Sequence, residues 1–243
     1  MSRSDVENLV RRTANRFGVD IHRHRPESSE AGRLTRMLSC HCVDVVLDVG
    51  ANTGQFAQSL RKAGYQGRTV SFEPLSTAHA ELIRASHSDP RWEIAPRAAI
   101  GDHDGEIEMH VAGNSVSSSA LNMLDSHAKA APASAYVDIE RVRLASMDTI
   151  SRAYLHPDSI AFLKVDTQGY EDRVLDGATE LLSALTGVQL ELSLVSLYDG
   201  QQLFDTLVER MRSIGYSIWA IWPGFQHPES GRMLQVDVTF FRD

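Results

Sequence analysis

Short apolar runs of strand length recur along this chain, each followed by a segment of helical periodicity, and that alternation constrains the fold more than any other feature. "VDVVLDVG" (43–50) leads into a helix from about Gly54 to Ala63, and "RTVSFEP" (68–74) into "STAHAELIRASHS" (76–88). "WEIAPRAAI" follows as a strand, and after an interruption "IAFLKVD", "YEDRVLDGATELLSAL" and "GVQLELSLV" resume the pattern. Strands that are apolar throughout are buried on both faces, and parallel neighbours need a crossover helix between them. The spacing therefore predicts an α/β fold with a doubly wound, mostly parallel sheet of seven strands. A helix from about Gln202 to Ile214 and the strands "YSIWAIW" and "LQVDVTFF", around the loop "PGFQHPESG", predict an antiparallel C-terminal pair. Helices are expected ahead of the first strand.

Residues 101–144 break the rhythm. "GDHDGEIEMHVAG" and "YVDIERVRLASM" read as strands separated by "NSVSSSALNMLDSHAKAAPASA", a Ser-rich insert at about 113–135 that is long for a connector and reads as disordered or as a substrate-side loop. The first helix carries a capping box, Ser4-x-x-Glu7, and a stop at Gly18. "RPESSEAG" (25–32) reads as a polar loop before a second helix that ends near Cys40. The chain thus divides into an N-terminal helical segment, 1–44, packed on the core, and one domain, 45–243; 243 residues suit a single large sheet with helices on both faces.

No apolar run approaches the roughly 18 residues of a membrane span, and "MSRSDVENLVRRTANRF" lacks the apolar core of a secretory signal. A cytoplasmic protein is the expectation. Its net charge of −8 argues against a nucleic-acid partner. Six arginines among the first 25 residues (Arg3, Arg11, Arg12, Arg16, Arg23, Arg25) face only Asp5, Glu7 and Asp20, so this helix either docks with a solvated basic face or makes peripheral contact with an anionic membrane. Monomer and homodimer both stay open. Cys40 and Cys42 in "SCHCVD" lack a second Cys/His cluster to complete a zinc site, and read as half-buried reduced thiols.

The turn Asp48-Val-Gly50-Ala-Asn52-Thr53-Gly54 joins the first strong strand to its helix, and its glycines let backbone N–H groups approach a ligand closely. The spacing is D-x-G-x-x-x-G and not the G-x-G-x-x-G of dinucleotide sites. An aspartate before the turn repels a pyrophosphate and favours a cationic ligand rich in donors. S-adenosylmethionine, with a sulfonium, an amino group and a ribose but no phosphate, meets that description. Glu73, 25 residues after Asp48 at the end of the second strand, stands where a carboxylate accepts both ribose hydroxyls.

In "DVGANTGQF", "FEP", "AIGDHDG", "SVSSSAL" and "LKVDTQGYEDRVLDGA" the chain resembles the FkbM family of S-adenosylmethionine-dependent methyltransferases, over roughly Val45 to Tyr216, with Leu163 to Ala178 the most specific stretch. The resemblance implies a Rossmann-like methyltransferase sheet and O-methylation of a hydroxyl on a sugar of a glycolipid, polysaccharide or glycosylated natural product, or on a polyketide. It also implies cofactor contacts at Asp48, Gly50, Asn52, Gly54 and Glu73, and a reaction centre around Asp166.

Methyl transfer from a sulfonium needs an oxygen placed behind the methyl group and a group to take its proton. Asp166, at the end of an apolar strand, is the leading candidate for base or metal ligand. Glu191, inside "VQLELSLVSL", is a costly buried carboxylate unless paired, either with Lys164 or with Asp166 around a divalent cation such as Mg2+. Gly169 permits a sharp turn, while Gln168 and Glu171 follow the strand, Glu171 as function or helix cap. Ser117, Ser118 and Ser119 either bind the cofactor or belong to a flexible loop; Thr53, Ser118 and Asp166 complete the candidate cofactor set. His127 and His227 lie in loops, and His227 joins Asp166 and Glu191 as a catalytic candidate. A nicotinamide-dependent oxidoreductase and a non-catalytic cofactor-binding partner protein are the competing functions.

Overall fold

The computed structural model describes residues 3–19 and 29–242. Its main sheet has seven strands: β1 (Val45–Val49), β2 (Arg68–Phe72), β3 (Trp92–Ile94), β7 (Ala161–Val165), β8 (Gly187–Ser193), β9 (Tyr216–Pro223) and β10 (Gln235–Arg242), in the order β3-β2-β1-β7-β8-β10-β9. The first five are parallel, and β10 runs antiparallel to both neighbours. The α/β, doubly wound, mostly parallel sheet with an antiparallel C-terminal pair is thus the observed architecture. The order reverses between β1 and β7, and in such sheets the crevice at the carboxyl ends of those strands receives the ligand.

Strand periodicity assigns the two faces. Val45, Leu47 and Val49 of β1 enter the larger core with Leu163, Val165, Val188 and Leu190. Val46 faces the other way, onto Leu34 and Leu38 of α2 (Glu30–Cys40) and Leu60 of α3 (Gln55–Lys62). Asp48 shares that second face. Ser29 caps α2 by accepting the Gly32 N–H. The chain before it behaves differently: α1 (Arg3–Arg16) leaves Val6, Leu9 and Val10 exposed, against the expectation that all of 1–44 packs on the core. This helix starts at Arg3, so Ser4 falls inside its first turn and not at its cap; the stop at Gly18, with φ +70°, stands as expected. Of the polar loop 25–32, residues 25–28 lie outside the described residues.

The two strands expected within 101–144 form a second sheet together with one more strand. β4 (Ala99–Gly101), β5 (Gly105–Ala112) and β6 (Tyr136–Ser146) form a three-stranded sheet in the order β4-β6-β5. "WEIAPRAAI" is therefore two strands in two sheets. The 113–135 segment between β5 and β6 is ordered and contains α5 (Asp125–Ala130). α4 (Ser76–Ser86) and the short α6 (Met147–Ile150) follow β2 and β6. The helix expected over 170–185 is broken into α7 (Glu171–Asp176) and α8 (Thr179–Ala184), and α9 (Phe204–Ser213) precedes β9. The break falls at Gly177, a position with no room for a side chain: a Cβ there would stand 1.9 Å from the Gly101 carbonyl oxygen.

The cysteines are exposed and not half-buried, and His41 between them turns inward to stack on Phe241 with ring centroids 4.0 Å apart. No helix among the described residues is long and apolar enough to cross a membrane.

Because the Gly177 contact is with backbone, which cannot swing away, Gly177→Ala should destabilise the protein by about 2 kcal/mol. Urea denaturation with the midpoint shifted down at unchanged slope would show it.

Candidate active site

A cavity of about 340 Å³ opens over the carboxyl ends of β2, β1 and β7 and continues towards β8 and β10. Gly50 (φ +76°) and Asn52 (φ +47°) turn the chain out of β1, and Gly50 has no room for a side chain, since its Cβ would meet the Asp166 carbonyl oxygen at 1.8 Å. Both residues line the cavity. Thr53 and Gly54 do not: the Thr53 N–H is bound by the Asn52 side-chain oxygen, and a Cβ on Gly54 would strike the Trp92 ring. Their proposed cofactor contacts give way to shaping the turn and packing the helix behind it.

Glu73 is almost fully buried yet lines the cavity. Its Oε2 accepts the Asn52 N–H at 2.8 Å and its Oε1 the Leu75 N–H at 2.9 Å. Burial outweighs these two bonds and pushes the carboxyl up to about 7. Asp48, by contrast, lies wholly below the surface, where its Oδ2 accepts the Ser71 hydroxyl and its Oδ1 faces Lys164 Nζ at 3.4 Å. The expected contact of Asp48 with a ligand is corrected to a supporting one, because the pleat buries position 48 and lets the chain emerge only at Gly50.

Lys164 does not pair with Glu191: its ammonium joins Asp48, Asp166 Oδ2 at 3.3 Å and the Gly50 carbonyl at 3.3 Å. Burial alone would lower its pKa; Asp166 and Asp48 outweigh that and hold it above its ordinary value. Asp166 reaches the cavity, with its other oxygen, Oδ1, accepting the Gln168 amide at 2.8 Å. The same amide nitrogen donates to Glu191 Oε2 at 2.6 Å, and Gln235 donates there too, at 2.7 Å. Burial first, and Asp166 second, push Glu191 well above the ordinary carboxyl range.

The sequence reading offered Asp166 and Glu191 as metal ligands. Here an NH2 group stands between the two carboxylates, with the Gln168 oxygen turned to accept the Tyr198 hydroxyl at 2.9 Å. A bridging donor does not fit a cation between them, and no three metal-ligating side chains cluster among the described residues.

Glu171 is buried, and its Oε1 accepts the N–H groups of Thr167 and Gly169 and the Thr167 hydroxyl, so it organises the turn in which Gln168 (φ +54°) and Gly169 (φ +96°) lie. Burial pushes it up to about 7. The serine-rich segment forms the opposite wall. Ser118 lines the cavity and bonds within its own loop, Ser119 donates to the Gln168 carbonyl at 2.7 Å, and Ser117 is held by Asn114. Neither histidine reaches the cavity. His227 caps its own loop, with Nδ1 accepting the N–H groups of Glu229 and Ser230, which corrects its catalytic assignment. His127 is buried against Tyr198 and Phe225, not exposed.

Sequence reasoning passed over Glu30, Gln189 and Asp237, which complete the cavity at its β8–β10 end. The signal for Asp237 was present, as the one acid in the strand "LQVDVTFF", directly opposite Glu191 in register.

A family model described as "Methyltransferase FkbM domain" matches residues 48–218. No curated protein matches the chain. Among solved structures, the chain is similar to Streptococcus pneumoniae Sp1610, a candidate tRNA (m1A22) methyltransferase in complex with S-adenosyl-L-methionine, at 10% identity and a TM-score of 0.47, over 86% of this chain and 72% of that one. It is also similar to an rRNA methylase from Streptococcus thermophilus (12%, 0.47, 91% and 99%). A TehB-like SAM-dependent methyltransferase from Corynebacterium glutamicum matches too (10%, 0.42, 100% of both chains). At such identities nothing about substrate passes from these proteins to this one.

Glu73, Glu171 and Asp237 all sit at about 7, above the ordinary 4.5 of glutamate and 3.8 of aspartate. The native state therefore holds more protons than the unfolded chain between those values, and stability falls as pH rises through that window, by up to about 1.4 kcal/mol per pH unit for each group. Urea denaturation of the unliganded protein at a series of pH values should show this decline, with a shallower slope in Glu171→Gln.

Proposed function

The chain belongs to the FkbM methyltransferase family, and we propose that it transfers a methyl group from S-adenosylmethionine to a hydroxyl of a sugar or a polyketide. It is a S-adenosylmethionine-dependent methyltransferase, so the nicotinamide alternative falls away. One observation carries the cofactor assignment to particular residues: the Glu73 carboxylate faces the cavity while accepting the Asn52 N–H of the glycine turn. In a dinucleotide site such N–H groups are free to cradle a pyrophosphate. Here a carboxylate takes one of them and repels phosphate, leaving lone pairs for a ribose diol.

The rest of the cavity fits the same ligand. Leu75, Ala98, Ile100, Met109 and Val116 offer an apolar surface suited to a purine beside Glu73. Asp166 and its neighbours give negative potential beyond the turn, which suits a sulfonium and an ammonium. When bound, the cofactor supplies an electrophilic methyl group. The chain itself positions the acceptor and takes up its proton.

Hydroxyl chemistry is supported by the far end of the cavity, where Glu30, Gln189 and Asp237 present hydrogen-bonding groups. Glu30 accepts from the Gln189 amide at 3.4 Å. A polyhydroxylated acceptor finds bond acceptors there in place of the hydration it loses. The exposed basic α1 supports delivery of such an acceptor on an anionic membrane surface.

Calorimetric titration tests the cofactor site. S-adenosylhomocysteine should bind and NAD should not, and Glu73→Ala should weaken S-adenosylhomocysteine by at least about tenfold through loss of two hydroxyl bonds. Unchanged affinity in that variant would remove the ribose assignment.

A further inference from the structure

The cavity crosses five strands. Glu73 marks one end, beyond β2, and Asp237 on β10 the other, four strand spacings or roughly 19 Å away along the sheet. A cofactor whose ribose rests on Glu73 leaves the β8–β10 end for the acceptor. Three cavity carboxylates stand towards that end, and they differ in what they already hold: Glu30, on α2, accepts the Gln189 amide at 3.4 Å. Asp166 has one oxygen on the Lys164 ammonium and the other on the Gln168 amide. Asp237 lines the cavity beside the neutral Gln189 amide and has no cation within ion-pair distance among the described residues.

We infer that Asp237, rather than Asp166, accepts the proton of the acceptor hydroxyl. This rests on the reading of the cavity as an O-methyltransferase site. A carboxylate paired with an ammonium is a weak base, whereas one with no cation at ion-pair distance keeps lone pairs for an incoming hydroxyl and a higher proton affinity. The balance closes simply: the acceptor oxygen bonds to the methyl carbon as the carbon–sulfur bond breaks onto sulfur, leaving a thioether, and the hydroxyl proton passes to an Asp237 oxygen, then to water.

The surroundings suit the task. Glu191 lies opposite on β8, Asp166 and Lys164 face it from β7, and Glu30 approaches from α2; the β9 partner is the neutral Trp222, with Arg33 over its ring at 5.3 Å. Burial first, then Asp166 and Glu30, push Asp237 up to about 7 against the opposing pull of Lys164, so it gains and loses a proton near neutrality. Gln189 donates to Glu30, and Gln168 to Asp166 and Glu191, so these carboxyl groups are met by neutral donors and not by further cations.

The test needs no acceptor. Sinefungin carries an amine where the cofactor carries its transferable methyl group, and S-adenosylhomocysteine carries nothing there; a carboxylate aimed at the oxygen behind the methyl also faces that amine. Calorimetric affinities of both should be measured for wild type, Asp237→Asn, Asp237→Glu and Asp166→Asn. Asp237→Asn should weaken sinefungin about tenfold while S-adenosylhomocysteine changes less than about twofold. Asp237→Glu should restore the preference, and Asp166→Asn should weaken both ligands alike. Equal losses for both ligands in Asp237→Asn, or no loss, would overturn the inference. Wild-type protein that binds neither ligand would instead remove the underlying cofactor reading, and this inference with it. If Asp237→Asn does not fold, the wild-type ratio of the two affinities serves: it should rise between about pH 6 and pH 8 as Asp237 ionises, and a flat ratio overturns the inference.

Discussion

The ammonium of Lys164 is the contact on which the rest of the site depends. Register places it beside Asp48 on the neighbouring strand, and its reach extends to Asp166 and to the carbonyl of Gly50. Three elements of the site therefore meet at one nitrogen: the end of β1, the glycine turn and the end of β7. Removing one partner of a buried ion pair costs about 3–5 kcal/mol because the other charge is stranded. Asp48 would be that stranded charge, wholly buried and backed only by the Ser71 hydroxyl. The same ammonium bonds the carbonyl of Gly50, whose left-handed conformation brings it against the Asp166 carbonyl with no side chain between them.

One cation among several carboxyl groups leaves the site acidic on balance, and the surrounding side chains add no second cation. Gln168 and Gln235 both donate to Glu191, Gln168 also to Asp166, and Gln189 to Glu30. Arginine at any of these places would satisfy the same oxygens while cancelling their charge. Amides satisfy them and leave the potential in place. A site built this way attracts a cationic ligand more strongly than its neutral counterpart, which is the difference between S-adenosylmethionine and the thioether left after transfer.

The strands, the glycine turn and the two strand-end acids Glu73 and Asp166 were legible in the sequence because each follows from local rules of apolar run length, glycine spacing and position at a carboxyl end. What the sequence hid depends on depth and on partners distant along the chain. Asp48 reads like a ligand contact until the pleat places it on the same face as Val46, under α3, two residues short of where the chain emerges. Lys164 looks like one more residue of an apolar strand until register sets it against Asp48. Asp237 gains its meaning only from Glu191 across an antiparallel pair that spans 46 positions of sequence. The need for glycine at 177 belongs to the same class, since it is set by the carbonyl of Gly101, a residue in the other sheet.

The 113–135 segment carries the last structural consequence. It is not a separate module laid over the sheet, because its bonds run to the groups that shape the cavity. Ser115 is bonded by the Asn52 amide at 3.4 Å, Ser119 donates to the Gln168 carbonyl, and the Tyr136 hydroxyl closes the segment by donating to the Leu121 carbonyl. Tyr198, arriving after β8, stacks edge-on with His127 of α5 while its hydroxyl meets Gln168. The wall facing the sheet is therefore fixed at both of its ends to turns that the sheet positions, while Val116 and Ser118 between them face the cavity. Changes at those two places alter the shape of the cavity wall beside the purine surface while leaving the contacts of Lys164 and Glu73 in place.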